Sequence, residues 1–189
     1  MTIAAEPRFM TTEQLLAFPD DGTDRELIEG QLRERGMTVR NYPHSSCMSR
    51  ITGKLVPWVA AQPEPRGDVV SGEAGFRLRR NPDTTVGIDV AYISAEMVAA
   101  NRGITGLLVG VPVLAVEILS PTDTHEGVGE KVDLYLRLNV PMVWVVDPRH
   151  RTVIIYQPGQ EPVLFNATQS IDGGSCLPGL SVRVADLFA

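Results

Sequence analysis

The chain has 189 residues, the size of a single domain, and its 43% hydrophobic and 21% charged residues exclude wholesale disorder and fibrous classes. With 17 Lys+Arg against 23 Asp+Glu the net charge is -6, which taken alone argues against a nucleic-acid partner. No run approaches the ~18 apolar residues of a membrane span, and residues 1–20 lack the basic start and apolar stretch of a signal peptide, so a cytoplasmic protein without membrane contact is expected. Cys47 and Cys176 stand alone, outside any CxxC or His-rich spacing; a disulfide framework is excluded and a zinc site is not expected.

No repeat, low-complexity tract or composition break divides the chain, so one domain over 1–189, with its core at about 11–187, is expected. A short helix is predicted from Thr11 to Phe18, capped by Thr11 or Thr12 and stopped at Pro19-Asp20, followed by a strand over 25–33. From Ser45 or Ser46, Met48, Ile51, Leu55, Trp58 and Val59 recur at three- and four-residue steps, a helical stripe ending near Gln62-Pro63. The period then changes to two, predicting strands at 67–71 and 75–79, a turn at Asn81-Pro82-Asp83 and a strand at 86–93. A weak helix at 95–101 leads to the apolar run Val111 to Leu119, a strand buried on both faces. A helix at about 126–139 and a strand from Met142 to Val146 complete a βαβ crossover. A hairpin near 152–157 and 161–166 and a short helix from Val184 follow. The expected class is α/β (α+β), a mixed sheet with helices packed on it.

Three residues disturb this pattern. Glu117 stands near the end of the otherwise apolar strand Val113 to Leu119, where a carboxylate needs a partner unless the strand end opens to solvent. Asp89 repeats the problem in Val86 to Ile93, unless it only marks the strand entrance after a turn. If the two strands are neighbours, alternation brings both carboxylates onto one face, where they repel unless a divalent cation lies between them. Oxygen ligands favour a hard ion, magnesium or manganese. At 100° per residue, Lys131 falls within the apolar arc formed by Val128, Val132, Leu134, Tyr135 and Leu138, whereas Glu130, Asp133 and Arg137 fall outside it. Lys131 therefore points at the sheet or along a groove, or snorkels from the first turns of its helix.

At these residues the chain resembles the PD-(D/E)XK nuclease superfamily, most closely its Uma-type restriction endonuclease family. The resemblance runs from about Thr11 to Leu187. It includes Glu26-Leu27-Ile28-Glu29-Gly30, Asp89, Val116-Glu117-Ile118-Leu119-Ser120-Pro121, Glu130-Lys131 with Tyr135, Trp144-Val145-Val146-Asp147-Pro148 and Leu177-Pro178-Gly179-Leu180. It implies a restriction-endonuclease-like fold and metal-dependent hydrolysis of DNA phosphodiester bonds. Asp89 and Glu117 would hold Mg2+, with Mn2+ as a substitute and the Ile118 carbonyl as a further ligand. Lys131 would orient water or stabilise transition-state charge, and Glu26 matches the family's early acidic residue, a catalytic group that would ligate metal directly or through water, unless it is an exposed acid on an edge strand. The chain departs from the pattern at Ile88, where the motif has proline, at Leu119, where the lysine commonly stands, at Gly127, and at Met142-Val143 before the tryptophan. His44 falls near a histidine of the family; read from sequence alone, it is a helix-capping or surface residue.

The resemblance leaves two alternatives to a DNA endonuclease: a catalytically weak or inactive binding or interaction module on the same fold, and a hydrolase of small phosphate esters. A homodimer is compatible with an open sheet edge. Arg77, Arg79 and Arg80 form one basic cluster and Arg33, Arg35 and Arg40 another. One bound Mg2+ would bring the charge from -6 to about -4 and place that change in the cleft. Weak, metal-dependent DNA binding is the expectation.

Overall fold

The computed structural model describes residues 9–36 and 41–188. Helix α1 (Thr12–Leu16) begins in a capping box, with Thr11 accepting from the Gln14 N–H and the Gln14 side chain accepting from the Thr11 N–H. The backbone N–H and hydroxyl of Thr12 both donate to Asp83 Oδ2 at 2.7 Å, tying this short helix to the sheet.

The segment predicted as one strand over 25–33 is instead a hairpin, β1 (Thr23–Ile28) and β2 (Gln31–Gly36). Its two-residue turn is Glu29-Gly30, with φ of 52° and 77°. Positive φ at both positions is what a turn matching the twist of the strands requires. A Cβ at Gly30 would sit 2.6 Å from Phe9 Cβ. Alternation alone could not reveal this break, because the turn keeps the residues polar and extended-looking on both sides.

Helix α2 (Tyr42–Ala60) starts earlier than its apolar stripe suggests, because Asn41 caps it through the His44 N–H and Pro43 fits its first turn. The strands predicted at 67–71 and 75–79 are one strand, β3 (Asp68–Arg79), interrupted by a bulge rather than by a turn. Ser71 pairs with Val90 and Ala74 with Ile88, so Gly72 and Glu73 together oppose Asp89 of β4 (Thr84–Ile93). After α3 (Ala95–Ala100) and the two-residue β5 (Leu108–Val109), β6 (Leu114–Ile118), α4 (His125–Arg137) and β7 (Met142–Asp147) form the crossover, with β6 and β7 parallel. Strands β8 (Thr152–Tyr156) and β9 (Val163–Asn166) extend the sheet. A separate pair, β10 (Ser170–Asp172) and β11 (Ser181–Arg183), precedes a 3-10 turn at Val184–Leu187. β5, β10 and β11 are too short to leave a periodicity in the sequence.

Among the described residues the main sheet has nine strands and runs β2-β1-β4-β6-β7-β8-β9, with β3 on β4 and β5 on β3. It is mixed and separates two apolar layers. On one side α2 buries Cys47, Ile51 and Leu55 against Val90, Val116 and Trp144; on the other α4 buries Val132, Leu134 and Tyr135 against Ile88, Ala115 and Val143. No helix among the described residues is long and apolar enough to cross a membrane.

Candidate active site

The alternation of β4 slips by one residue at Asp89. Val86 and Ile88 belong to the layer under α4, and beyond Asp89 that layer is served by Ala91 and Ile93. The slip lies opposite the β3 bulge. Strands β4 and β6 pair antiparallel through Val90↔Val116, and one further step in this register sets Asp89 beside Glu117. Asp89 Oδ2 accepts from the Ile118 backbone N–H at 2.7 Å and faces His44 Nε2 at 3.3 Å. His44 is 1% exposed, so the expectation of a surface residue is overturned. Asn41 provides the helix cap, and the imidazole is spent against Asp89. Nothing in the chain's local pattern marks this pairing, because α2 and β4 meet only in the folded molecule. Cys47 is buried one turn further along α2, and burial, then the charge of Asp89, pushes its thiol up to about 12, so it is no nucleophile at neutral pH.

Glu117 lies on the α4 side of the sheet, and α4 is brought over it by a tight connection. The Ser120 N–H donates to Asp123 Oδ2 at 2.7 Å, and Thr124 caps α4 through the Gly127 N–H. Lys131 and Tyr135, four residues apart, occupy one helical face and both reach Glu117. Lys131 Nζ lies 3.3 Å from Glu117 Oε2, 3.0 Å from Glu26 Oε1 and 3.3 Å from the Gly87 carbonyl oxygen. The Tyr135 hydroxyl donates to Glu117 Oε1 at 2.5 Å. Glu26, on β1, also accepts from the Gly87 N–H at 3.1 Å. Tyr135 is the contact that sequence reasoning missed. Its signal was present in the i,i+4 spacing from Lys131, but a tyrosine in an apolar arc reads first as core.

Burial drives the Glu117 carboxyl up to about 7 despite the opposing pull of Lys131, and the charge of Asp89 adds to the rise. Burial by itself would lower the Lys131 ammonium, but Glu117 and Glu26 outweigh it and hold the amine firmly protonated. Burial and the neighbouring Glu117 charge likewise keep the Tyr135 phenol protonated, and it serves as a donor. Tyr135→Phe removes that donor and leaves a buried acceptor underpaired. A loss of about 2 kcal/mol in urea unfolding with an unchanged m-value is expected, and full stability in the phenylalanine variant would refute the accounting.

Glu26, Asp89, Glu117, Ile118, Lys131 and His44 all line one cleft of about 450 Å3. In their carboxylate forms Glu26, Asp89 and Glu117 would set three negative charges against the one positive charge of Lys131, and a bound cation would displace the proton that burial favours on Glu117. The donor set is oxygen from carboxylates and main chain, and its excess charge matches a divalent hard cation. Among the described residues no group of three or more His, Cys, Asp and Glu side chains is disposed to hold a metal by itself. The set therefore fits a cation only with main-chain or water oxygens completing it.

The cluster of Arg77, Arg79 and Arg80 is paired within the chain. Arg77 and Arg80 both engage Glu13, and Arg79 engages Glu29. Arg40 and the side chain of Arg35 lie outside the described residues, while Arg33 lines the cleft and reaches Glu130 at 3.9 Å.

Residues 12–185 match the Uma2 family, described as Putative restriction endonuclease. The chain belongs to that family. A crystal structure of a putative nuclease belonging to DUF820, from Anabaena variabilis ATCC 29413, is 22% identical, with a TM-score of 0.77 over 94% of this chain and 97% of that one. At this identity the likeness establishes a common fold, and the Uma2 chain has the expected restriction-endonuclease-like architecture of a mixed sheet flanked by helices. No curated protein matches the sequence.

Proposed function

We propose that this Uma2 protein is a metal-dependent endonuclease that hydrolyses DNA phosphodiester bonds in the cleft between α1, β1 and the β6-α4 connection. The observation that carries the reading is the convergence of Glu26, Asp89, Glu117 and Lys131 in one cleft from separate elements. Family membership and the nuclease-like fold support the reaction class. Asp89 and Glu117, with the Ile118 carbonyl, would hold Mg2+ or Mn2+. Such an ion, when bound, lowers the pKa of a ligated water and polarises the phosphate.

The chain's own residues have separable tasks. His44 and the Ile118 N–H both bind Asp89 Oδ2, which fixes the rotamer of that carboxylate. Tyr135 does the same for Glu117. Lys131 presents a permanently charged ammonium at the cleft wall, where it orients the attacking water or neutralises charge accumulating on the phosphate. Glu26 holds the lysine in position through its 3.0 Å contact. The competing enzymatic reading, hydrolysis of small phosphate esters, would use the same residues but reject polynucleotides.

The test is cleavage of plasmid and of circular single-stranded DNA, followed on agarose gels. Cleavage should require Mg2+ or Mn2+, stop in excess EDTA, and fall at least about 100-fold in Asp89→Asn. Undiminished cleavage by Asp89→Asn, or by wild type in EDTA, would sink the proposal. DNA binding with no cleavage under any divalent ion would establish the inactive-module alternative.

A further inference from the structure

The cleft has an apolar wall that the hydrolytic residues do not use. Leu15, Leu16, Phe18 and Pro19, from α1 and the segment after it, all line the cleft, as does Leu107. Leu16 is 62% exposed and Phe18 37% exposed, both large apolar groups held open to solvent at the mouth of a charged site. They are not loose. Thr12 pins the helix to Asp83, and the Arg25 guanidinium lies over the Phe18 ring at 4.7 Å from its centroid.

The cations near this wall are mostly committed within the chain. Arg25 is shared by Asp21 at 2.7 Å and Glu34 at 2.9 Å, Lys131 lies between Glu26 and Glu117, and the β3 arginines are held by Glu13 and Glu29. Double-stranded DNA binds chiefly through many phosphate contacts along both strands. Committed arginines and a net charge of -6 supply few of these. An unpaired strand instead offers base faces, which stack on aromatic and apolar side chains without regard to sequence. A cleft of about 450 Å3 is also within the range that encloses a small organic group such as one nucleotide.

We infer that the Leu16 and Phe18 wall is a stacking surface for an unpaired nucleotide, so that the substrate is single-stranded DNA or a single-stranded stretch entering the cleft. This rests on the nuclease reading above and narrows its substrate. Phe18 would be a substrate-positioning residue, distinct from the groups that act on the phosphate.

The experiment uses the full chain with a fluorescent single-stranded oligonucleotide, the same sequence as blunt duplex, and a mononucleotide competitor. Binding is read by anisotropy in EDTA and in Ca2+, and cleavage in Mg2+. The single strand should bind at least about tenfold more tightly than duplex or mononucleotide. Phe18→Ala should raise the single-strand KM about tenfold with kcat little changed, and Phe18→Trp should restore it. Thermal unfolding of each variant separates loss of stacking from loss of fold. Preference for duplex, preference for the mononucleotide, or a folded Phe18→Ala variant with wild-type KM and affinity would overturn the inference. Phe18-dependent single-strand binding without cleavage would uphold it while the nuclease reading fails. Efficient duplex cleavage indifferent to Phe18 would do the reverse.

Discussion

Replacing Lys131 with methionine should lower the thermal unfolding midpoint of the metal-free protein by about 10 °C at pH 8. Methionine keeps the unbranched stem but removes the ammonium from between Glu26 and Glu117, which it contacts at 3.0 and 3.3 Å. Lys131, Glu26 and Glu117 have side chains only 12%, 16% and 15% exposed, so water can replace little of the lost interaction. Breaking a largely buried pair by deleting one partner costs on the order of 3–5 kcal/mol, and for a chain of this size each kcal/mol moves the midpoint by roughly 2–4 °C. The deficit should shrink at pH 5.5, where Glu117 protonates and sheds the charge left uncompensated. The double variant Lys131→Met/Glu117→Gln should recover part of the loss at pH 8. Cleavage should drop about 100-fold or more, because water and phosphate lose their cationic neighbour. A midpoint within 2 °C of wild type would show that the lysine is held no more strongly than a surface residue.

Glu117→Gln is expected to abolish cleavage to within about a thousandth of the wild-type rate and, in EDTA, to flatten the pH dependence of stability. The carboxyl of Glu117 is raised from its ordinary 4.5 to about 7, first by burial. The folded chain therefore binds the proton more tightly than the unfolded chain. The stability gained from that proton is complete below the unfolded value of 4.5 and is lost as pH rises through about 7. The window from pH 4.5 to 7 should thus show declining stability, on the order of 3 kcal/mol in total, in wild type but not in Glu117→Gln. Urea unfolding at half-unit pH steps measures both slopes. Equal slopes would mean that another group titrates in this range. Glutamine preserves the acceptor for Tyr135, so lost cleavage in a stable Glu117→Gln protein would come from the missing charge rather than from collapse of the site.

Much of this fold is legible in local pattern because each layer has its own period. The stripe from Met48 to Val59 reads as a one-sided helix, and the apolar run at Leu114 to Ile118 fits a strand covered on both faces. The same reading finds Glu117 and Lys131, since a charge within an apolar period stands out against its neighbours. It fails where two elements share one period. The β1-β2 hairpin looks like a single strand because both halves are polar and extended. The bulge in β3 looks like a loop because Gly72 and Glu73 interrupt alternation without ending the pairing.

Local pattern specifies the layered class, the crossover of β6, α4 and β7, and which charged residues stand in apolar surroundings. What those charges meet depends on how distant elements pack. Glu26 stands 91 positions before Glu117 and 105 before Lys131 in the chain, and no periodicity relates them. The pairing of β1 on β4 beside Gly87 and the packing of α4 bring Glu26 and Glu117 to Lys131, while the register of β4 on β6 and the seat of α2 bring Asp89 to the Ile118 N–H and to His44. The physical reason is the range of the forces. Helix and strand propensities act over a few residues, whereas pairing a buried carboxylate requires a partner from whichever element packing brings near. The same holds for the arginines: Arg77, Arg79 and Arg80 cluster in the sequence, and the fold pairs Arg77 and Arg80 with Glu13 of α1 and Arg79 with Glu29 of the β1-β2 turn.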